Sequence, residues 1–277
     1  MGFRFVCGCN GLYQWQILPA ELINIRTMRN LLFWGLLPLL APQALYVRRT
    51  APRFAGAGGP RKGTFGKGRD YRLLAVGDSI IAGVGADHIS DALVGRTAST
   101  LAELLDASIQ WHAMGGIGYR AEKIVEEFLP ALPAEPADFI IVSVGVNDIT
   151  GLTPLPSWRR RLRLLLDRLH AHSPQASVAV AGVPPLGKFP LLPQPLRAVA
   201  GLRAASFDEC CREVIAEFAN AIHVPVSFDF SPGKFAADGY HPSEESYGKF
   251  GEEMARGLLR FTEQSRTVFE TPRPDRN

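Results

Sequence analysis

Residues 139–144, Phe-Ile-Ile-Val-Ser-Val, are apolar at consecutive positions, where a half-exposed strand would be apolar only at alternate ones. A strand of that kind has to be covered on both faces, as the central strands of parallel sheets are. The requirement commits the rest of the chain, which must supply neighbouring strands and two layers of amphipathic helix. Four further runs qualify as strands: 72–76, 109–114, 177–182 and 222–226. Helical periodicity falls between and after them. Leu93, Thr97, Leu101 and Leu104 share one face of 91–105, and Ala121, Ile124, Val125 and Phe128 share the next. Leu162, Leu165, Leu166 and Leu169 line one face of 158–172, with Arg159, Arg160, Arg163 and Arg168 opposite. Phe207, Cys211, Val214 and Phe218 stripe a long helix ending near 220, and Tyr247, Phe250, Met254 and Leu258 stripe a last helix capped by Ser243. This alternation predicts a three-layer α/β/α domain on a five-stranded parallel sheet. Right-handed crossovers favour the strand order 2-1-3-4-5.

The domain occupies 71–262, with a polar tail at 263–277. Ahead of it the chain has a different character. Residues 1–30 show no periodicity and read as a poorly structured N-terminus, and Met28 is a candidate start because an apolar block follows it directly. That block, 31–47, has no charged residue, and Arg26, Arg29, Arg48, Arg49 and Arg53 flank it. Its length is at the lower limit for a transmembrane helix, and Pro38 and Pro42 point to a kinked, partly inserted or interfacial segment. We therefore expect a membrane-associated segment, with a membrane surface as a partner of 31–53. The competing arrangement is a hydrophobic arm folded onto the domain. Residues 48–70, rich in Gly, Pro, Arg and Lys, read as a basic linker. Its cations would keep the domain on the cytoplasmic face.

A net charge of +3 on 277 residues is too small to argue for nucleic acid as a partner. The four cysteines form two close pairs, Cys7/Cys9 and Cys210/Cys211, without zinc-site spacing, so neither a disulfide nor a metal is expected.

The chemistry-bearing residues fall at the carboxyl ends of the expected strands, the edge at which open α/β sheets bind ligands. The first strand ends in Gly77-Asp78-Ser79, the second runs to Gly118, and the third ends in Gly145-Val146-Asn147-Asp148. The loop after the fifth carries Asp238-Gly239-Tyr240-His241-Pro242. A serine hydroxyl needs a base, which His241 can supply, and the other ring nitrogen needs an orienting acceptor, which Asp238 can supply. The N–H groups of Ser79 and Gly118 and the side-chain amide of Asn147 are candidate oxyanion donors. After the fourth strand, 183–195 is stiffened by prolines and offers Leu186, Phe189 and Leu192 either to a neighbouring helix or to an acyl chain in the crevice.

In order and in wording these four blocks resemble those of the SGNH (GDSL-type) hydrolases, over 71–262. Ile80 replaces the family's Leu, and Ala113 stands where the second block often carries Asn. The resemblance implies a flavodoxin-like fold and hydrolysis of a small-molecule ester without metal or cofactor. It also implies Ser79 as nucleophile, His241 as base, Asp238 as its orienter, and Ser79, Gly118 and Asn147 as the oxyanion hole. Two other outcomes fit the same constellation: acyl transfer to a lipid or sugar hydroxyl, and a membrane-tethered binding module of the same fold without turnover. Acyl length and oligomeric state are not legible in the sequence.

Overall fold

The computed structural model of the chain describes residues 3–4, 16–17, 25–227 and 229–270. Cys7, Cys9 and most of the N-terminal thirty residues lie outside that set. Within it, Phe3–Arg4 pairs with Gln16–Ile17 as a short antiparallel ladder.

Six strands make the main sheet: β1 (Lys62–Phe65), β2 (Asp70–Gly77), β3 (Ser108–Gly115), β4 (Phe139–Ser143), β5 (Ser177–Ala181) and β6 (Ala221–Val224). Their spatial order is β1-β3-β2-β4-β5-β6. Strands β2 to β6 are all parallel, in the order expected from the sequence. The sheet centres on β4, which is buried at every position, as its continuous apolar character requires.

β1 was not expected. It lies within the segment read as a linker and pairs antiparallel with β3, with Lys62 opposite His112 and Phe65 opposite Ile109. Four residues containing Lys and Gly carry almost no strand signal of their own. The strand is specified by the edge of β3, which would otherwise leave a row of unpaired backbone groups.

The helices are α1 (Ile25–Thr50), α2 (Leu93–Leu105), α3 (Ala121–Phe128), α4 (Val146–Thr150), α5 (Leu155–His172), α6 (Leu196–Ile215) and α7 (Glu244–Glu270). α2 packs on α7, while α3, α5 and α6 pack in series. The expected stripes form the core: Leu93, Thr97 and Leu101 of α2, Leu162, Leu165, Leu166 and Leu169 of α5, and Phe207, Cys211 and Val214 of α6, with Trp158 at the start of α5 buried beside them. Leu104 departs from its stripe and is exposed. Cys210 and Cys211 are buried free thiols. α6 ends at Ile215, short of 220, and α7 continues to Glu270, past the expected start of the tail.

α1 runs unbroken through Pro38 and Pro42 and is longer than the uncharged block within it. One side of it is seated on α6. Phe33 and Leu40 are buried against Val199, and Leu37 and Leu196 pack on the same cluster. Arg26 pairs with Glu213, and Arg29 with Glu209. The Gln43 amide donates to the Gln194 carbonyl at 2.9 Å, and its oxygen accepts the Leu196 N–H at 3.0 Å, capping the first turn of α6.

Candidate active site

The site is built where β2 and β4 end together. A Cβ on Gly77 would lie 2.3 Å from the Ser143 carbonyl oxygen, so only glycine lets the two strand ends approach this closely. The chain then turns sharply, with Ala82 N–H donating to Asp78 O and Val84 N–H to Ser79 O, both at 3.0 Å. Asp78 locks that turn from within. Its Oδ1 accepts the Ile80 N–H at 3.1 Å and the Ser143 hydroxyl at 3.2 Å. Burial pushes the Asp78 carboxyl up to about 6 despite those bonds.

Across the crevice, the loop after β6 is pinned by an isolated bridge between Phe235 and Pro242. Within it Asp238 Oδ1 accepts the N–H groups of Tyr240 and His241, both at 2.9 Å. Its Oδ2 stands 2.6 Å from His241 Nδ1. Burial alone would raise the Asp238 carboxyl. The hydrogen bonds from the His241 ring and from the two backbone N–H groups outweigh burial and hold it below the ordinary carboxylate range. With Nδ1 donating to that carboxylate, Nε2 is left as an acceptor. Nε2 lies 2.9 Å from Ser79 Oγ. Three residues from two distant stretches of the chain thus form one hydrogen-bonded line.

Asn147, at the start of α4, lines the same cleft as Ser79 and His241. Its Nδ2 donates to the Tyr119 carbonyl at 3.0 Å. Gly118 is the residue before Tyr119, exposed, with φ +76°, and it does not itself line the cleft. The Asn147–Tyr119 bond nevertheless fastens the two candidate donor segments to each other. Neither the Ser79 nor the Gly118 N–H has an acceptor among the described residues.

The proline-rich segment divides. Phe189 is buried and lines the cleft, packed edge-on against Tyr240 with ring centroids 5.3 Å apart. Leu186 and Leu192 are buried in the general core and do not line the cleft. A short 3-10 turn at Leu186–Lys188 folds this segment back onto α6, so these two leucines answer to packing and not to the crevice.

Three polar side chains near the site carry roles that the sequence did not assign, Asp148 among them although it stands in the third block. Asp148 Oδ2 accepts the Ala121 N–H at 2.9 Å, placing a carboxylate at the N-terminus of α3. Asp208 accepts the Val183 N–H at 2.9 Å and meets His223 Nε2 at 2.8 Å, behind the exit of β5. Asp148 could have been found from its place beside Asn147. No local signal marks the second pair, whose members are fifteen residues apart.

Residues 75–249 match the model of the GDSL-like lipase/acylhydrolase family. The chain belongs to that family. The resemblance carried by the four blocks is therefore borne out. A GDSL-like esterase of Mycobacterium tuberculosis (strain ATCC 25618 / H37Rv) is 27% identical over 240 residues, 78% of this chain and 74% of the relative. Among solved structures, a family 3 carbohydrate esterase of Clostridium thermocellum superposes with a TM-score of 0.52 at 18% identity, over 73% of this chain and 100% of the other. A catalytic mutant of an acetylxylan esterase from Geobacillus stearothermophilus gives 0.51 at 17%, over 71% and 95%. At such identities the superpositions speak for the fold. Family and homologue together make the chain a carboxylic ester hydrolase.

Proposed function

We propose that the protein is a serine esterase that works through an acyl-enzyme on Ser79. The observation that carries this reading is the line Ser79 Oγ, His241 Nε2, His241 Nδ1, Asp238 Oδ2, with separations of 2.9 and 2.6 Å at its two hydrogen bonds. Ser79 Oγ attacks the ester carbonyl carbon as its proton passes to His241 Nε2. The carbonyl π pair moves onto oxygen, and the N–H groups of Ser79 and Gly118 with Asn147 Nδ2 receive that charge. One Asn147 amide hydrogen is directed at Tyr119 O and the second is available for this purpose. When the intermediate collapses, the C–O bond to the alcohol breaks and Nε2 returns its proton to the departing oxygen. Water repeats the sequence on the acyl-Ser79 ester, releasing the carboxylic acid and the free serine. Asp238 stays ionised throughout, fixing the tautomer and stabilising the imidazolium.

A fluorophosphonate probe should label the wild-type chain once, at Ser79, and fail to label Ser79→Ala. With p-nitrophenyl esters the wild type should give a pre-steady-state burst of p-nitrophenol. Undiminished labelling or turnover in Ser79→Ala would remove Ser79 from the mechanism.

A further inference from the structure

Helix α1 has two sides of opposite character. The side on α6 is specific and polar at both ends: Arg26 and Arg29 on Glu213 and Glu209, and Gln43 on Gln194 and Leu196. Between them, the Arg203 guanidinium of α6 is buried beneath the helix. It stacks on Phe33 at 4.3 Å and Trp34 at 5.0 Å, and donates to the Thr153 carbonyl at 2.6 Å. The other side is apolar and uncovered. Leu31, Leu32, Leu36, Leu39, Leu45 and Tyr46 are exposed, Leu39 to 76%. No charged residue interrupts that face until Arg48 and Arg49. Those two and Arg53 are exposed and have no acidic partner among the described residues.

We infer that α1 is an in-plane membrane helix: its outer face seats in the acyl–headgroup boundary of an anionic bilayer while its inner face stays docked on α6. Three observations select this occupant and this orientation. Apolar side chains closed off by unpaired arginines match hydrocarbon bordered by anionic headgroups. Spanning is the alternative that length and composition alone would allow. It would require either drawing Arg203, Glu209 and Glu213 toward hydrocarbon with the docked helix, or stripping α1 off α6 and exposing the aromatic stack around Arg203. Pro38 and Pro42 are both on the exposed side, where their missing N–H groups free the carbonyls one turn earlier. At the boundary those carbonyls stay within reach of water, which the hydrocarbon core would deny them. The inference does not depend on the catalytic reading.

The test uses the full chain with phosphatidylcholine vesicles, alone or mixed with phosphatidylglycerol. The wild type should float with the mixed vesicles and at least tenfold less with the neutral ones. Leu39→Glu should abolish flotation, and Arg48→Glu/Arg49→Glu should reduce it about tenfold on mixed vesicles only. Unchanged hydrolysis of a soluble ester would show that both variants are folded. In a Cys7→Ser/Cys9→Ser background, Ile25→Cys and Thr50→Cys should each react with a membrane-impermeant maleimide on sealed, protein-bound vesicles. Protection of one end would overturn the in-plane placement in favour of a span. Failure to float, together with a dimer in solution that Leu39→Glu dissociates, would assign the face to a second copy of the chain.

Discussion

Two aspartate–histidine pairs stand at carboxyl ends of strands in this sheet, and their close similarity shows what sets the proposed catalytic pair apart. Asp238 and His241 are 2.6 Å apart, Asp208 and His223 2.8 Å. All four side chains are largely buried. Each carboxylate also accepts backbone N–H groups, and each is held below the ordinary carboxylate range. The difference lies at the far ring nitrogen. Asp238 takes Nδ1 and leaves Nε2 aimed at the Ser79 hydroxyl in an open cleft. Asp208 takes Nε2, and His223 Nδ1 meets no hydroxyl among the described residues. The second pair fastens the Val183 N–H where the chain leaves β5. A carboxylate–imidazole contact is thus not a catalytic signature in itself; its third partner and its access to substrate decide.

Substitutions can break this contrast. Ser79→Ala and His241→Ala should each lower kcat by about 10⁴–10⁶ on a p-nitrophenyl ester. The parallel change His223→Ala should leave kcat within a few-fold while lowering Tm, and an equal loss in turnover would erase the distinction. Asp238→Asn should cost about 10⁴, because the amide no longer enforces the tautomer that leaves Nε2 unprotonated. Asn147→Ala should cost roughly 10²–10³ in kcat with little change in KM, as expected for a donor used in the transition state.

The same contrast explains what the sequence made legible. Asp238 and His241 are three residues apart on one loop, and Ser79 stands two residues past the end of an apolar strand, so local pattern and topology were enough to bring them together. Asp208 and His223 come from a helix and a strand with no shared motif, and only tertiary packing joins them. β1 was hidden for a related reason, since its pairing comes from the edge of β3 and not from its own residues. The 183–195 segment shows the limit in the other direction. Its apolar residues were visible, but which of them would face the cleft was fixed by the fold-back onto α6, which selected Phe189 over Leu186 and Leu192. The docking of α1 was equally out of reach, because Arg203 reads as an ordinary helix cation until Phe33 is seen to lie over it.

Asp78 extends the comparison to a carboxylate shifted the other way. Burial raises it to about 6, so ionising it in the folded protein is unfavourable. The native state binds this proton more tightly than the unfolded chain, and the group therefore costs stability increasingly as pH rises from about 4 to 6. Asp78→Asn keeps an oxygen for the Ser143 hydroxyl and removes the charge. It should stabilise the fold by on the order of 2–3 kcal/mol above pH 6 and by almost nothing near pH 3, measured by urea melts across that range.

The smallest effect belongs to Asp208. Burial alone would raise its carboxyl, but the His223 hydrogen bond and charge, the Val183 N–H and Arg212 outweigh burial and hold it low. A depressed folded-state pKa contributes stability that is present above the unfolded carboxylate range and is lost as pH falls through the folded value. Asp208→Asn retains an acceptor for the Val183 N–H and gives up the charge-assisted part of the bond to His223 together with the ion pair to Arg212. It should cost about 1–2 kcal/mol at pH 7, and the gap to wild type should close as both are acidified below about pH 4. Turnover at pH 7 should be nearly unchanged, because Asp208 reaches the cleft only through the backbone at Val183. A gap that stayed constant on acidification would mean that Asp208 acts by shape and not by charge. The two aspartate–histidine pairs would then differ in their electrostatics as well as in their third partner.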